Sequence, residues 1–116
     1  MKAPVKRVEK PWGHEIWYAQ SKRYVGKILV INKGHRLSLQ YHKIKHETIY
    51  ALKGRFRLTL GGKNFLMTPG MAAVIPTKAV HRFEALYGRA TLLEVSTPEV
   101  WDVVRLSDDY GRKDTK

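Results

Sequence analysis

The chain has 116 residues, 43% of them hydrophobic, and a formal net charge of +12 from 22 Lys and Arg against 10 Asp and Glu. This length suits a single domain, and the hydrophobic share is too high for a disordered chain. The absence of cysteine excludes disulfides and thiolate ligands, so any metal site must use nitrogen and oxygen ligands.

The positive charge would attract anions such as nucleic acids, acidic surfaces or phosphorylated metabolites. The alternative is a solvated, lysine-rich surface, since the sequence contains no run of five or more basic residues. No stretch is long and apolar enough to cross a membrane, and the N-terminal segment lacks the apolar centre of a secretion signal. These features predict a cytoplasmic protein.

The apolar residues occur in short alternating runs that predict β-strands. In chain order the predicted strands are HEIWYA (14–19), VGKILVI (25–31), ETIYAL (47–52), FRLTL (56–60), NFLM (64–67), AAVI (72–75), VHRFEA (80–85) and ATLLEV (90–95). Gly61-Gly62 predicts a tight hairpin, because both glycines can adopt a positive φ. Residues 98–106 could form a strand or one helical turn, and the tail 112–116 is expected to be frayed. The even spacing predicts an all-β sandwich or barrel, with one domain over 1–116.

Four polar side chains could meet inside such a barrel. Gln40 and His42 are two residues apart, so on a strand they face the same side. Glu47 begins the next strand, where antiparallel pairing could bring it opposite that pair, and His81 lies in a later strand. Glu47 also precedes an apolar run, where a buried carboxylate is costly without a cation. The alternatives are core or surface histidines, and a hydrogen-bonding strand role for Gln40.

The spacing of these side chains resembles the first motif of the cupin superfamily, G-x5-H-x-H-x3–4-E-x6-G. Residues 34–54 follow it, with Gln40 in place of the first histidine. The resemblance implies a jelly-roll β-barrel with one divalent ion, whether Zn, Mn, Fe, Co or Ni. The implied metal ligands are Gln40, His42, Glu47 and His81.

The second cupin motif, G-x5-P-x-G-x2-H-x3-N, is similar to residues 70–85. Gly70, Pro76 and His81 are in register with it. Lys78 replaces the inner glycine of the motif, and Ala85 replaces its asparagine.

Within the superfamily, the segment LSLQYH resembles the C-terminal cupin domain of type II mannose-6-phosphate isomerases, which are often fused to mannose-1-phosphate guanylyltransferase. The ending DVVRLSDDYGR (102–112) is similar to the family's D-I-V-R-x-x-D-x-Y-G-R. No glycine-rich nucleotide-binding segment precedes the similar region, so nucleotide transfer is not expected. The resemblance implies a homodimer that interconverts mannose 6-phosphate and fructose 6-phosphate through an enediol.

Three further residues are predicted to act on such a substrate. Lys45 would share a face with Glu47 in an extended segment, and a nearby cation could lower its pKa toward the range that suits a general base. A solvated turn is the alternative for Lys45. Arg105 and Arg112 are predicted to bind the phosphate because arginine presents two donors to an anion. Ion pairs with the neighbouring aspartates are the alternative for both.

The sequence departs from the family beside the metal motif. Lys45 stands where the family carries an arginine, Thr48 where it often has histidine, and Ile49 where it has an aromatic residue. Lysine keeps the charge but loses the forked donor geometry that grips phosphate. The alternatives are therefore a non-catalytic phosphosugar-binding cupin and another metal-dependent cupin enzyme such as a dioxygenase. Nucleic-acid binding ranks last, because no recognition helix or aromatic RNA-binding strand pattern is visible.

Overall fold

Residues 1–112 are described by the computed structural model, and they form eleven β-strands. The strands are β1 Lys6–Lys10, β2 Gly13–Gln20, β3 Val25–Ile31, β4 Leu39–Tyr41, β5 Glu47–Lys53, β6 Phe56–Leu60, β7 Lys63–Met67, β8 Ala72–Ile75, β9 His81–Glu84, β10 Ala90–Ser96 and β11 Val104–Ser107. This described part of the chain has no helix that could cross a membrane. Of the tail predicted to be frayed, Arg112 is described and residues 113–116 lie outside the described residues.

Two antiparallel sheets carry the fold. One has six strands in the order β1-β2-β3-β10-β5-β8, and the other has five in the order β11-β4-β9-β6-β7. Neighbours such as β3 and β10 are distant in sequence, which is the crossover pattern of a jelly roll. The predicted all-β, single-domain jelly roll is confirmed.

Alternation along the strands decides which side chains enter the core. In β3, Leu29 and Ile31 are buried while the residue between them is half-buried. β10 repeats this pattern at Ala90 and Leu92. Each fully buried Leu or Ile side chain contributes about 1.5–3 kcal/mol relative to exposure. The next inward-facing residues on these two strands are charged: Lys27 on β3 and Glu94 on β10 are both buried. The core therefore passes into a polar interior at one end.

The predicted Gly61-Gly62 hairpin joins β6 to β7, and Leu60 pairs with Lys63 across it. Both glycines have a positive φ, 58° and 79°, which the tight turn requires. A second close fit occurs at Gly13, where an added Cβ would lie 1.9 Å from the carbonyl oxygen of Val30. The chain therefore turns from β1 into β2 directly against β3.

Three strands, β1, β4 and β11, are not among the eight predicted from the apolar runs. β1 (KRVEK) is mainly charged, and it forms because its backbone pairs with β2 from Lys6 opposite Trp17 to Lys10 opposite Gly13. The ambiguous segment 98–106 resolves into a turn followed by β11, and the possible helical turn is not formed. Backbone pairing rather than hydrophobic alternation forms both edge strands.

Candidate metal centre

His42, Glu47 and His81 form a buried cluster in which one ligand atom from each lies within 4.8 Å of the others. Their relative exposures are 3%, 2% and 1%. His42 follows β4 and His81 begins β9 in the five-stranded sheet, whereas Glu47 begins β5 in the other sheet. The expectation that Glu47 reaches the histidines through a paired strand is therefore wrong. β5 pairs with β8 and β10, and Glu47 reaches the histidines across the interior between the two sheets.

The two imidazoles are oriented by backbone carbonyl oxygens. Nδ1 of His42 lies 2.5 Å from the carbonyl oxygen of Asp102, and Nδ1 of His81 lies 2.9 Å from that of Ala79. Because a carbonyl oxygen only accepts, each Nδ1 carries the proton and donates it. The Nε2 atom of each neutral ring then presents a lone pair, which is the form in which histidine binds a metal.

These lone pairs converge on the Glu47 carboxylate. Oε1 of Glu47 lies 3.1 Å from Nε2 of His42 and 3.5 Å from Nε2 of His81. Within residues 1–112, neither Oε2 of Glu47 nor Nε2 of His81 has a hydrogen-bond partner, although both atoms are buried. Three acceptor groups facing one another in a dry interior need a positive charge between them. The donor set of two imidazoles and a carboxylate fits Zn, Mn, Fe, Co or Ni.

Gln40 lies beside the cluster, because its backbone pairs with that of His81 across β4 and β9. Paired residues on adjacent strands point to the same face, so both side chains face the interior. Oε1 of Gln40 accepts a hydrogen bond from Ser38 Oγ over 2.5 Å. An amide oxygen has a second lone pair, so this bond leaves ligation possible. Its role as a fourth ligand stays a prediction.

Lys45 is buried beside the cluster, which contradicts the alternative of a solvated turn residue. Its Nζ lies 2.9 Å from Oε2 of Glu94. Burial alone would lower the pKa of Lys45, but the Glu94 and Glu47 carboxylates outweigh burial and raise it above its ordinary value. This direction holds for the site without a cation, and the depression expected beside a bound divalent cation stays a prediction. Lys45 thus enters the site as an ammonium group.

The two carboxylates near Lys45 differ in their protonation behaviour. Burial would raise the pKa of Glu47, but the positive charge of Lys45 opposes burial, and the pKa lies well below its ordinary value. For Glu94, burial and the adjacent Glu47 charge raise the pKa, and Lys45 only partly opposes them. The two neighbouring carboxyl groups therefore differ, with the pKa of Glu47 lowered and that of Glu94 raised.

A cleft of about 560 Å³, including its open mouth, lies beside the cluster and is lined by Gln40, His42 and Glu47. Arg105 and Arg112 line the same cleft. Arg105 pairs with Gln40 across β11 and β4, so Arg105, Gln40 and His81 occupy one row across three adjacent strands. Two strand spacings separate the ends of this row by about 10 Å at the backbone.

The predicted aspartate ion pair is present at Arg112. Its Nε and Nη2 donate to the Asp108 carboxylate over 3.1 and 2.9 Å, and its backbone amide donates to the same group. Arg112 therefore combines a structural ion pair with a position on the cleft wall. Asp109 pairs instead with Arg36.

Asp102 fixes the loop that carries His42 and Lys45. Its carboxylate accepts hydrogen bonds from the backbone amides of Lys43, Ile44 and Lys45 over 2.6–3.1 Å. Its own carbonyl oxygen accepts from His42. Burial would raise the pKa of Asp102, but these amide donors lower it below its ordinary value. One residue therefore orients both a candidate ligand and the buried lysine.

Sequence reasoning did not assign a site role to Glu94, Lys27 or Glu15, which all line the cleft. Nζ of Lys27 lies 3.6 Å from Oε1 of Glu15, and both residues are buried. The available signal was strand phase. In VGKILVI and ATLLEV, the charged residue occupies the same phase as the buried aliphatic residues, which marks it as facing the interior.

Comparison with known proteins identifies relatives over nearly the whole chain. The family model described as mannose-6-phosphate isomerase C-terminal matches residues 2–108. A mannose-1-phosphate guanylyltransferase of Klebsiella pneumoniae is 30% identical over 92% of this chain and 24% of its own length. The alginate biosynthesis protein AlgA of Pseudomonas aeruginosa is 34% identical over 90% of this chain and 23% of its own length. The chain thus spans about a quarter of the length of these relatives.

Among solved structures, an RmlC-like cupin from Shewanella frigidimarina superposes with a TM-score of 0.75 at 14% identity. The superposition covers 83% of this chain and 86% of that one. At this identity the likeness shows a shared cupin fold.

Proposed function

The chain belongs to the family of mannose-6-phosphate isomerase C-terminal domains, and from this premise we propose that it is a metal-dependent isomerase of mannose 6-phosphate and fructose 6-phosphate. The observation that carries the proposal is the convergence of His42, Glu47 and His81 beside a cleft lined by cationic side chains. A metal-binding cluster and cationic side chains on the same cleft suit a ligand that carries both a carbonyl group and a phosphate.

We assign His42, Glu47 and His81 as metal ligands, with Gln40 as the fourth. A divalent ion held there would act as a Lewis acid toward the carbonyl and hydroxyl oxygens of the open-chain sugar. The chain itself supplies the orientation, because backbone carbonyl oxygens fix both imidazole rings. The three ligand side chains are themselves shielded from water.

The proton transfer is assigned to the Lys45–Glu94 pair. Isomerisation removes the proton from C2 of mannose 6-phosphate, passes through an enediol, and returns a proton to C1 while the carbonyl moves to C2. In this step the Lys45 ammonium group would pass a proton to the Glu94 carboxylate across the 2.9 Å contact, and the resulting neutral amine would take the proton from C2 and return it to C1. Lys45 remains the candidate catalytic residue, with Glu94 as the group that shares its proton. Arg105 and Arg112, which line the same cleft, would bind the phosphate.

A homodimer is proposed through the outer face of the six-stranded sheet. Tyr50 pairs with Ala72 on one side and with Leu93 on the other, and Leu93 pairs with Ile28. This gives one apolar row across four strands on the face opposite the core. A two-fold axis would pack the row against its own copy. The cytoplasmic location stays a prediction.

The test is turnover of mannose 6-phosphate after loading with Zn, Mn, Co, Fe or Ni, followed by a coupled assay for fructose 6-phosphate. In deuterated water an enediol route labels the product at carbon, and His81→Ala should abolish both turnover and labelling. No turnover with any of the metals would reject the isomerase. Binding of mannose 6-phosphate without turnover would instead select the non-catalytic phosphosugar-binding cupin. Metal-dependent oxygen consumption would select a dioxygenase.

A further inference from the structure

Lys10, which sequence analysis left without a role, lies at the end of the edge strand β1 and lines the same cleft as Arg105 and Arg112. It is half-buried, although most of β1 is exposed. Its position is fixed by the corner that follows it. There Trp12 is 1% exposed, and Gly13 approaches Val30 too closely to accommodate a Cβ.

The charge of Lys10 is not matched by a carboxylate in residues 1–112, where no ion pair to it is formed. Other cations of the cleft do have carboxylate partners. Lys27 faces Glu15, and Lys45 faces Glu94. Arg112 is bound by Asp108 at 2.9 Å. The cleft thus holds an ammonium group that forms no ion pair within residues 1–112.

The surroundings of Lys10 make this charge costly. Burial lowers the pKa of Lys10, and the positive charges of Lys27, Arg112 and Arg105 lower it further, while Glu15 opposes them. A phosphate group carries about −1.5 to −2 charges near neutral pH and would relieve this repulsion. Lysine serves such a group as a point charge, whereas arginine adds directed donors.

We propose that Lys10, Arg105 and Arg112 together form an oxyanion subsite that binds the phosphate of the sugar-phosphate substrate. The identity of the anion rests on the proposed function, whereas the existence of an anion site does not. Arg105 stands about two strand spacings, roughly 10 Å, from His81 at the backbone. The subsite therefore holds the phosphate while the carbonyl end of the sugar reaches the candidate metal ligands. Lys10 acts as a binding residue of the edge strand and takes no part in the chemistry.

The test is calorimetric binding of inorganic phosphate to the metal-stripped full chain. Lys10→Gln should weaken phosphate binding at least tenfold, and Lys10→Arg should retain most of it. Lys6→Gln is the matched control, because Lys6 lies on the same strand, is exposed and stacks over Trp17 at 5.3 Å. This control should bind phosphate like the parent chain. Metal binding by Lys10→Gln should be unchanged, which separates loss of the subsite from loss of the fold.

Two outcomes would overturn the subsite: phosphate binding that Lys10→Gln leaves unchanged, and a parent chain that binds no phosphate. If phosphate binds through Lys10 but no sugar phosphate is isomerised, the subsite stands and the proposed function fails. If isomerisation occurs and Lys10→Gln alters neither KM nor phosphate affinity, the proposed function stands and the subsite fails.

Discussion

The backbone amide of Lys78 donates a hydrogen bond to the carbonyl oxygen of His42 over 2.7 Å. The turn between β8 and β9 is thereby tied to a candidate metal ligand on the neighbouring loop. Within residues 1–112, Lys78 is the one non-glycine residue with a positive φ, 68°. It occupies the position at which the second cupin motif carries glycine. At this position the backbone therefore keeps the left-handed conformation of the motif. Lysine, unlike glycine, has a Cβ that makes this conformation unfavourable.

Replacing Lys78 by glycine should stabilise the protein. The left-handed region is unfavourable by about 1–2 kcal/mol for a residue with a Cβ, and glycine removes this strain. Glycine also increases the entropy of the unfolded chain, which cancels part of the gain. We expect Lys78→Gly to raise the free energy of unfolding by about 1 kcal/mol, measured by urea denaturation. Lys78→Ala is the control and should show no such gain, because alanine keeps the Cβ. A gain as large in Lys78→Ala would show that the lysine side chain, rather than the backbone, carries the cost.

Removing any one of the three clustered side chains should remove the metal. We expect His42→Ala, His81→Ala and Glu47→Gln to lose stoichiometric metal, measured by elemental analysis after dialysis. His46→Ala is the matched control, because His46 is exposed one residue before Glu47. In the parent chain, metal at 100 times its Kd should raise the free energy of unfolding by about 2.7 kcal/mol. Retention of one ion by all three variants would contradict the assignment.

The extent of the sequence prediction can be traced to particular residues. Strand phase and turn glycines predicted an all-β sandwich or barrel, and the resemblance to the cupin motifs narrowed this to a jelly roll. The motif spacing also correctly selected His42, Glu47 and His81 as neighbours. The sequence did not predict that Glu47 lies in the opposite sheet from the two histidines. Its short distance from His42 along the chain suggests a paired strand, whereas long-range topology decides which sheet β5 joins. The local sequence around Lys45 likewise gave no sign of the carboxylate that raises its pKa. Its partner Glu94 is 49 positions away, so the sequence nearby shows a cation without its counter-charge.

Asp102 should matter for both stability and metal affinity. Asp102→Ala removes the acceptor for three backbone amides of the loop that follows His42. Since a hydrogen bond to a charged group contributes about 1.5–3 kcal/mol, a loss of at least about 3 kcal/mol in unfolding free energy is expected. Alanine keeps the carbonyl oxygen that accepts from His42, but the loop that carries His42 loses its anchor, so metal affinity should fall by about 10-fold or more. Asp109→Ala, which removes an exposed partner of Arg36, should leave metal affinity unchanged. Equal metal affinities in the two variants would refute the orienting role.

Glu84 should give the fold a stability that depends on pH. Its buried carboxylate accepts from Arg36 over 3.0 Å and from Nε of Arg57 over 2.6 Å. Burial alone would raise the pKa of Glu84, but the two guanidinium groups lower it below its ordinary value of 4.5. A carboxyl group with a depressed folded-state pKa stabilises the fold above its ordinary pKa, and this contribution is lost as the pH falls through the folded-state value.

Glu84→Gln should therefore lower the free energy of unfolding by about 1–3 kcal/mol at pH 7. It should also flatten the decline in stability that the parent chain shows below pH 4.5, because the titrating group is gone. Urea denaturation between pH 3 and pH 7 measures both effects. Glu9→Gln, which alters the exposed pair with Arg7, should reproduce the parent curve. A parallel pH dependence in Glu84→Gln and the parent would show that other groups account for the decline.

The outer face of the six-stranded sheet should determine the oligomeric state. Tyr50, Val74 and Val95 are 40%, 51% and 53% exposed, and both valines pair with Thr48, the residue two before Tyr50 on the same face of β5. Tyr50→Lys would place a charge in the centre of this face and, across a two-fold axis, bring like charges together. Size-exclusion chromatography with light scattering should show twice the mass of one chain for the parent and a single chain for Tyr50→Lys.

The control lies on the other sheet, where Phe65 on β7 has a similar exposure, 44%. The variant Phe65→Lys should stay dimeric. A parent chain that is monomeric at high concentration would refute the dimer, and dissociation by Phe65→Lys alone would move the interface to the five-stranded sheet.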